Sequence, residues 1–208
     1  MDAQTEFVAQ EQALEELRAQ QETDRADVQA EIEERAAIVA SIESQIAEIS
    51  GEIDGLEAEQ AEIQAILASG SVYSGEPPPA GQMWRPVPGP ITSPFGYRTH
   101  PIAGVTRLHT GADMRSSCGD AIFAADDGQV VFAGWKGGYG NATIVDHGGG
   151  VATLYGHQSQ INVGQGQIVQ GGDAIGLVGT TGYSTGCHLH FEVRIGGEPV
   201  DPAAWIGG

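Results

Sequence analysis

The stretch Cys187-His188-Leu189-His190-Phe191-Glu192-Val193 alternates polar and apolar residues from His188 onward. A period of two marks a β-strand, whose successive side chains point to opposite faces. Leu189, Phe191 and Val193 then face a core, and both imidazoles of this half-buried strand point together into a cleft. Upstream, His109 and Asp113 stand four residues apart, close enough for one loop or turn to present both. A catalytic zinc site takes three protein ligands of this kind and leaves a fourth position to water. Either motif alone is more often structural than metal-binding. Together they carry more weight, because the chain has six histidines and five lie beside glycine-rich or strand-like segments of one region. The sixth, His100, precedes Pro101 just upstream of His109.

Outward from this strand, residues 91 to 205 read as all β. Runs such as Gln129–Ala133, Ala142–Asp146, Val151–Tyr155 and Ala174–Val178 are separated by glycine turns at short, fairly even intervals. Tight hairpins need positive φ, which explains the frequent glycine. The pattern predicts a barrel or sandwich of antiparallel strands. No Gly-x-Gly-x-x-Gly lies between a strand and a helix, so the glycines do not argue for a nucleotide.

Toward the N-terminus the pattern changes twice. Residues 71 to 90, with Pro77-Pro78-Pro79 and then Pro86, Pro88 and Pro90, read as a linker partly stiffened by polyproline conformation. Trp84 within it is expected to pack on the following domain. Residues 1 to 70 read as a helical coiled-coil segment: there is no proline, and no glycine before Gly51. From Val28 the seam steps by four and three through Ile32, Arg35, Val39, Ile42, Ile46, Ile49, Ile53, Leu56, Gln60, Ile63 and Leu67, and ten of these twelve positions are apolar. Arg35 and Gln60 are its polar interruptions. Such a stripe needs a partner helix, or else packs along the second domain.

Charge excludes some functions. Residues 1 to 70 hold 18 acidic and 3 basic side chains (−15), and residues 71 to 208 hold 10 and 6 (−4). No basic patch exists to neutralise phosphates, so nucleic-acid binding is not expected. There is no stretch apolar enough to span a membrane. Nor is there a signal peptide, since Met1-Asp2 leads straight into a polar helical run. The chain then reads either as cytosolic or, as the favoured expectation, as a piece of an exported precursor without its leader.

Four blocks, Ser93-Pro-Phe-Gly-Tyr-Arg-Thr-His-Pro101, Leu108-His-Thr-Gly-Ala-Asp113, Leu154-Tyr-Gly-His157 and Gly186-Cys-His-Leu-His-Phe-Glu-Val193, occur in order. With them, residues 91 to 208 resemble the lysostaphin-type, or LytM-like, zinc metallopeptidases. The resemblance implies a mainly β catalytic domain of LytM-like barrel or sandwich form behind the coil. It also implies one Zn2+ per chain held by His109, Asp113 and His190, with His157 and His188 flanking the attacking water. The implied activity is endopeptidase cleavage of bacterial peptidoglycan, at stem-peptide crosslinks or bridges, outside the cytoplasm. The coil would position or restrain the enzyme through a partner, either a second copy or an envelope protein, and take no part in bond cleavage.

Other residues keep alternatives open. His147 reads as structural, with a substrate contact as the other possibility. His100 reads as structural or as a group near the developing oxyanion. Tyr139 and Tyr183 could line the groove. Cys118 and Cys187 flank the two halves of the site and read as a disulfide, with two buried thiols, or one cysteine as an adventitious ligand, as the alternatives. Two further functions compete: a catalytically silent regulator of another hydrolase, and a structural coiled-coil protein with a carbohydrate-binding domain.

Overall fold

The computed structural model describes residues 3–69, 73–99 and 106–207. Helix α1 runs over Ala3–Ala68, 66 residues rich in Ala, Glu and Gln. The chain forms two compact units, residues 1–51 and 52–208, so the division falls inside α1 at Gly51 rather than at the change of composition near residue 70. In the first unit α1 is supported by i,i+4 pairs such as Gln29–Glu33 and Arg35–Glu31. The seam residues Val28, Ile32, Val39, Ile42 and Ile46 are exposed there.

The second unit is a β structure with the last turns of α1. Its strands are β1 (Ile91–Ser93), β2 (Gly96–Thr99), β3 (Thr106–His109), β4 (Ala112–Arg115), β5 (Ala121–Phe123) and β6 (Gly128–Lys136). They continue with β7 (Gly140–Asp146), β8 (Val151–Ile161), β9 (Ile168–Val169), β10 (Ala174–Val178), β11 (His188–Ile195) and β12 (Glu198–Val200). The main sheet runs β1-β4-β11-β8-β7-β6-β9, with β12 beside β11 and β10 bridging β8 and β5, while β2 and β3 form a separate hairpin. The pairings of these strands are antiparallel.

Two cores lie on opposite faces of the sheet. One holds Met114, Val145, Tyr155, Leu189, Phe191 and Val193. The other holds Tyr139, Ala142, Ile144, Ala152 and Leu154, and it is closed by Ile63 of α1, whose side chain is fully buried. The alternative of a helix packed along the second domain therefore holds for the end of α1. The proline-rich segment is not a free spacer either. Met83 and Val87 are buried in the first core, and Met83 bridges to Ile206. Trp84 departs from expectation: its backbone N–H donates to Ala125, but its side chain stays 64% exposed beside Gly171. Cys118 and Cys187 are joined in a disulfide, Cα atoms 5.3 Å apart, which ties the β4–β5 loop to the start of β11.

Candidate metal centre

Sheet register brings the candidate ligands together. In the antiparallel pair β4–β11, Asp113 stands directly opposite His190, and Met114 opposite Leu189. Directly opposed residues share a face, so Asp113 and His190 meet while Met114 and Leu189 enter the core. His109 ends β3, two residues before Gly111. A Cβ at Gly111 would lie 2.4 Å from the Phe191 carbonyl oxygen and 2.9 Å from His190 Nε2, so only glycine lets this loop press against β11.

The three side chains converge. His109 Nε2 is 3.1 Å from Asp113 Oδ1 and 3.2 Å from His190 Nδ1, and His190 Nδ1 is 2.9 Å from Asp113 Oδ1. The opposite ring nitrogens have partners of their own. His109 Nδ1 lies 2.9 Å from the Pro94 carbonyl, and His190 Nε2 lies 3.1 Å from Glu192 Oε1. Ring protons placed on those outer nitrogens would leave bare nitrogens facing Asp113, the tautomer a metal ligand requires; Arg98 Nη2 also approaches His109 Nδ1, at 2.5 Å. The donor set fits a zinc ion: two imidazoles and one carboxylate, gathered within 4.8 Å of one another. Burial alone would raise the Asp113 carboxyl, but its hydrogen bonds with His109 and His190 outweigh this and hold it well below the usual carboxylate range.

His157 and His188 face the same point, with ring centroids 4.7 Å apart. Strict alternation would not put His157 there. Tyr155 pairs with Phe191 and faces the core, and Gly156 pairs with His190, so the next side chain should return to the core. Instead His157 has φ 60°, the left-handed region, and its ring swings to within 5.8 Å of the His190 ring. A non-glycine residue held there stores backbone strain, which often accompanies function. His157 Nδ1 is 2.8 Å from the Thr181 carbonyl and His188 Nδ1 is 2.8 Å from the Gly186 carbonyl, so each ring directs Nε2 into the site, that of His188 to 3.7 Å from Asp113 Oδ1. Burial, reinforced by the neighbouring His190, pushes the His157 imidazole down to about 4, so it is neutral near pH 7. These groups open into a cleft of about 590 Å³, lined also by Leu56, Gln60, Tyr97 and Tyr183.

Other expectations come out differently. β11 is not half-buried: His190, Glu192 and Arg194, its polar face, are all covered. Tyr139 lines the cleft as expected, but as a largely buried residue donating to Glu192 Oε1 at 2.7 Å. His147 lies outside the cleft, fully buried, between the Asp127 carbonyl at 2.7 Å and Thr153 Oγ1 at 2.8 Å. Tyr183 is exposed at the cleft, and His100 lies outside the described residues. Sequence reasoning missed Thr110, Glu192 and Arg194. The signal was present, since Glu192 and Arg194 continue the polar alternation of His188 and His190.

Fold and site together define a β-sheet protein with a candidate metal centre in an open cleft. The model of peptidase family M23 matches residues 107–202. Over 114 residues the chain is 54% identical to the DD-carboxypeptidase/endopeptidase Mpg of Neisseria meningitidis serogroup B, covering 55% of this chain and 26% of that protein. It is 36% identical over 129 residues to the murein hydrolase activator EnvC of Escherichia coli, covering 62% of this chain and 30% of that one. The solved catalytic domain of the prophage-encoded M23 protein EnpA from Enterococcus faecalis matches with a TM-score of 0.53 at 30% identity, over 61% of this chain and 98% of that domain. The chain belongs to peptidase family M23. It spans about a quarter of the length of the Mpg protein it matches.

Proposed function

We propose that this chain is a zinc-dependent endopeptidase that cleaves peptide bonds of bacterial peptidoglycan, and that it works outside the cytoplasm. The observation that carries this reading is the convergence of His109 Nε2, Asp113 Oδ1 and His190 Nδ1 beside two imidazoles, His157 and His188, each anchored through Nδ1 to a backbone carbonyl. The DD-carboxypeptidase/endopeptidase named among its relatives supports the substrate class.

His109, Asp113 and His190 would hold the ion. When bound, zinc supplies a Lewis acid that polarises a scissile carbonyl and brings the pKa of water down toward about 7. His157, neutral and anchored through Nδ1 to Thr181, offers Nε2 to take a proton from the attacking water. His188, anchored to Gly186, offers a second Nε2, which would take up the other proton of the water and then hand it to the departing amine. Both anchors are backbone carbonyls, so the rings keep their tautomers and directions through turnover.

The exposed seam of α1 from Val28 to Ile46 fits a partner helix, a second copy or an envelope protein, that would position the enzyme. No helix among the described residues is long and apolar enough to cross a membrane. A second reading, regulation of another hydrolase, is favoured by the 36% identity to the activator EnvC. Metal analysis of the purified protein, followed by mass spectrometry of defined muropeptides after incubation, separates the two. Zinc near one equivalent with cleaved peptides supports the enzyme, whereas a chain without metal that leaves the peptides whole supports the regulator.

A further inference from the structure

Gln60 is one of the polar interruptions in the apolar seam of α1, and a coiled coil alone gives no reason for it. In the second unit this side chain lies over the polar face of β11. Its Nε2 donates to Tyr139 Oη at 2.5 Å, and its Oε1 accepts from Arg194 Nη2. Both partners serve Glu192. Tyr139 Oη donates to Glu192 Oε1 at 2.7 Å, and Arg194 Nε donates to Oε2 at 2.7 Å. Glu192 Oε1 also accepts from Thr110 Oγ1 and takes the Nε2 proton of His190. His190 then turns Nδ1 toward Asp113 and His109. An unbroken chain of hydrogen bonds thus runs from the helix to a candidate metal ligand.

We propose that Gln60 is a positioning residue for the metal centre, acting through Tyr139, Arg194 and Glu192 to hold the ring of His190. The inference rests on the metal-site reading above.

The chemistry of the position selects an amide. Tyr139 spends its hydroxyl proton on Glu192, so it can only accept from the helix, and Arg194 can only donate. One residue must therefore offer a donor and an acceptor side by side. Gln does so; Lys lacks the acceptor, Glu lacks the donor, and an apolar residue lacks both. The helix is also pinned on both sides of Gln60. Glu59 accepts from the Gly138 backbone N–H at 2.8 Å, Glu62 pairs with the buried Lys136, and Ile63 is fully buried. The pinning requires close approach, since a Cβ at Gly137 would run into the Glu59 carboxylate. The amide is thereby held in place, and any shift of this helical segment is transmitted to Glu192, the buried carboxylate that sets the direction of His190.

The test uses the whole chain stripped of metal. Gln60→Met keeps the length and helix preference of the side chain and removes both hydrogen bonds. Zinc affinity is measured by chelator competition, and the geometry of the site by the visible absorption of bound Co2+. The expected result is a raised zinc dissociation constant, up to the roughly 10- to 100-fold that losing a direct outer partner of a metal ligand such as Glu192 costs, with an altered Co2+ spectrum. In a double-mutant cycle, Gln60→Met added to Glu192→Gln should lose little beyond Glu192→Gln alone, because both act on one path. Unchanged affinity and spectrum in Gln60→Met, or fully additive losses, overturns the proposal. Should Gln60→Met fail to fold, Gln60→Glu decides alone: it keeps the bond from Arg194 and loses the one to Tyr139. Weakened zinc binding at unchanged circular dichroism supports the path, and wild-type binding overturns it. If the wild-type protein binds neither metal, the metal-site reading fails as well, which distinguishes that failure from this one.

Discussion

At the residue scale, His109, Asp113 and His190 each turn one ligand atom to a common point, and a shared cation would satisfy all three at once. Replacing any of them with Ala should remove both zinc and hydrolysis, and stoichiometric zinc in His190→Ala would refute its role as a ligand. His157→Ala and His188→Ala should keep the metal and lose turnover by roughly 10² to 10⁴, the range general acid–base catalysis contributes. Metal analysis beside a muropeptide digest reads both outcomes. His147 behaves differently. Burial lowers its pKa below the ordinary 6.5, against hydrogen bonding to Asp127 that favours the charged form. The unfolded chain then binds this proton more tightly than the folded one. Its contribution is present above about pH 6.5 and lost as the pH falls through that value. Denaturant titrations between about pH 7 and pH 5.5 should show stability falling toward acid, with a shallower fall in His147→Gln.

At the scale of elements, β11 organises the second unit. Its apolar face enters the first core, and its polar face carries His190, Glu192 and Arg194 under Tyr139 and Gln60. The lid over that face is fastened by Ile63, so Ile63→Ala should cost about 2–5 kcal/mol in equilibrium unfolding, the usual range for emptying a closed core site. The Cys118–Cys187 disulfide fastens the opposite end of β11. Closing a loop of 69 residues adds roughly 4 kcal/mol in the chain-entropy account. Intact mass after alkylation without reductant should show no labelled thiol, and reduction should lower the unfolding midpoint.

At the scale of the whole molecule, the division at Gly51 changes what a truncation removes. A fragment from residue 52 keeps Gln60, Ile63 and the compact second unit, and it should retain zinc and its thermal midpoint. A fragment from residue 84 loses the helical lid and Met83, and it should unfold at lower temperature and bind zinc more weakly. Equal stability and zinc content in the two fragments would show that the end of α1 is dispensable. If Gln60 positions the metal centre as proposed, the expectation of a coil that takes no part in the chemistry would apply to residues 1–51 alone.

Much of this was legible in the chain. Alternation along β11 and the glycine turns predicted an antiparallel β domain, because strand periodicity is a local property, and the resemblance carried by the four ordered blocks supplied the five candidate site residues. The helix was equally plain from its composition and its four-three spacing. The rest depended on contacts distant in sequence. Periodicity marks Gln60 as a flaw in a seam, and only tertiary packing shows that Tyr139 and Arg194, 79 and 134 residues away, take up its amide. The same holds for His157, which simple alternation turns toward the core and a left-handed backbone turns toward the site. It holds also for β11, whose polar face is divided: His188 and His190 line the cleft, while Arg194 lies beneath Gln60 of the helix. A pattern along the chain reports which faces differ. What covers each face is decided by how the whole chain packs.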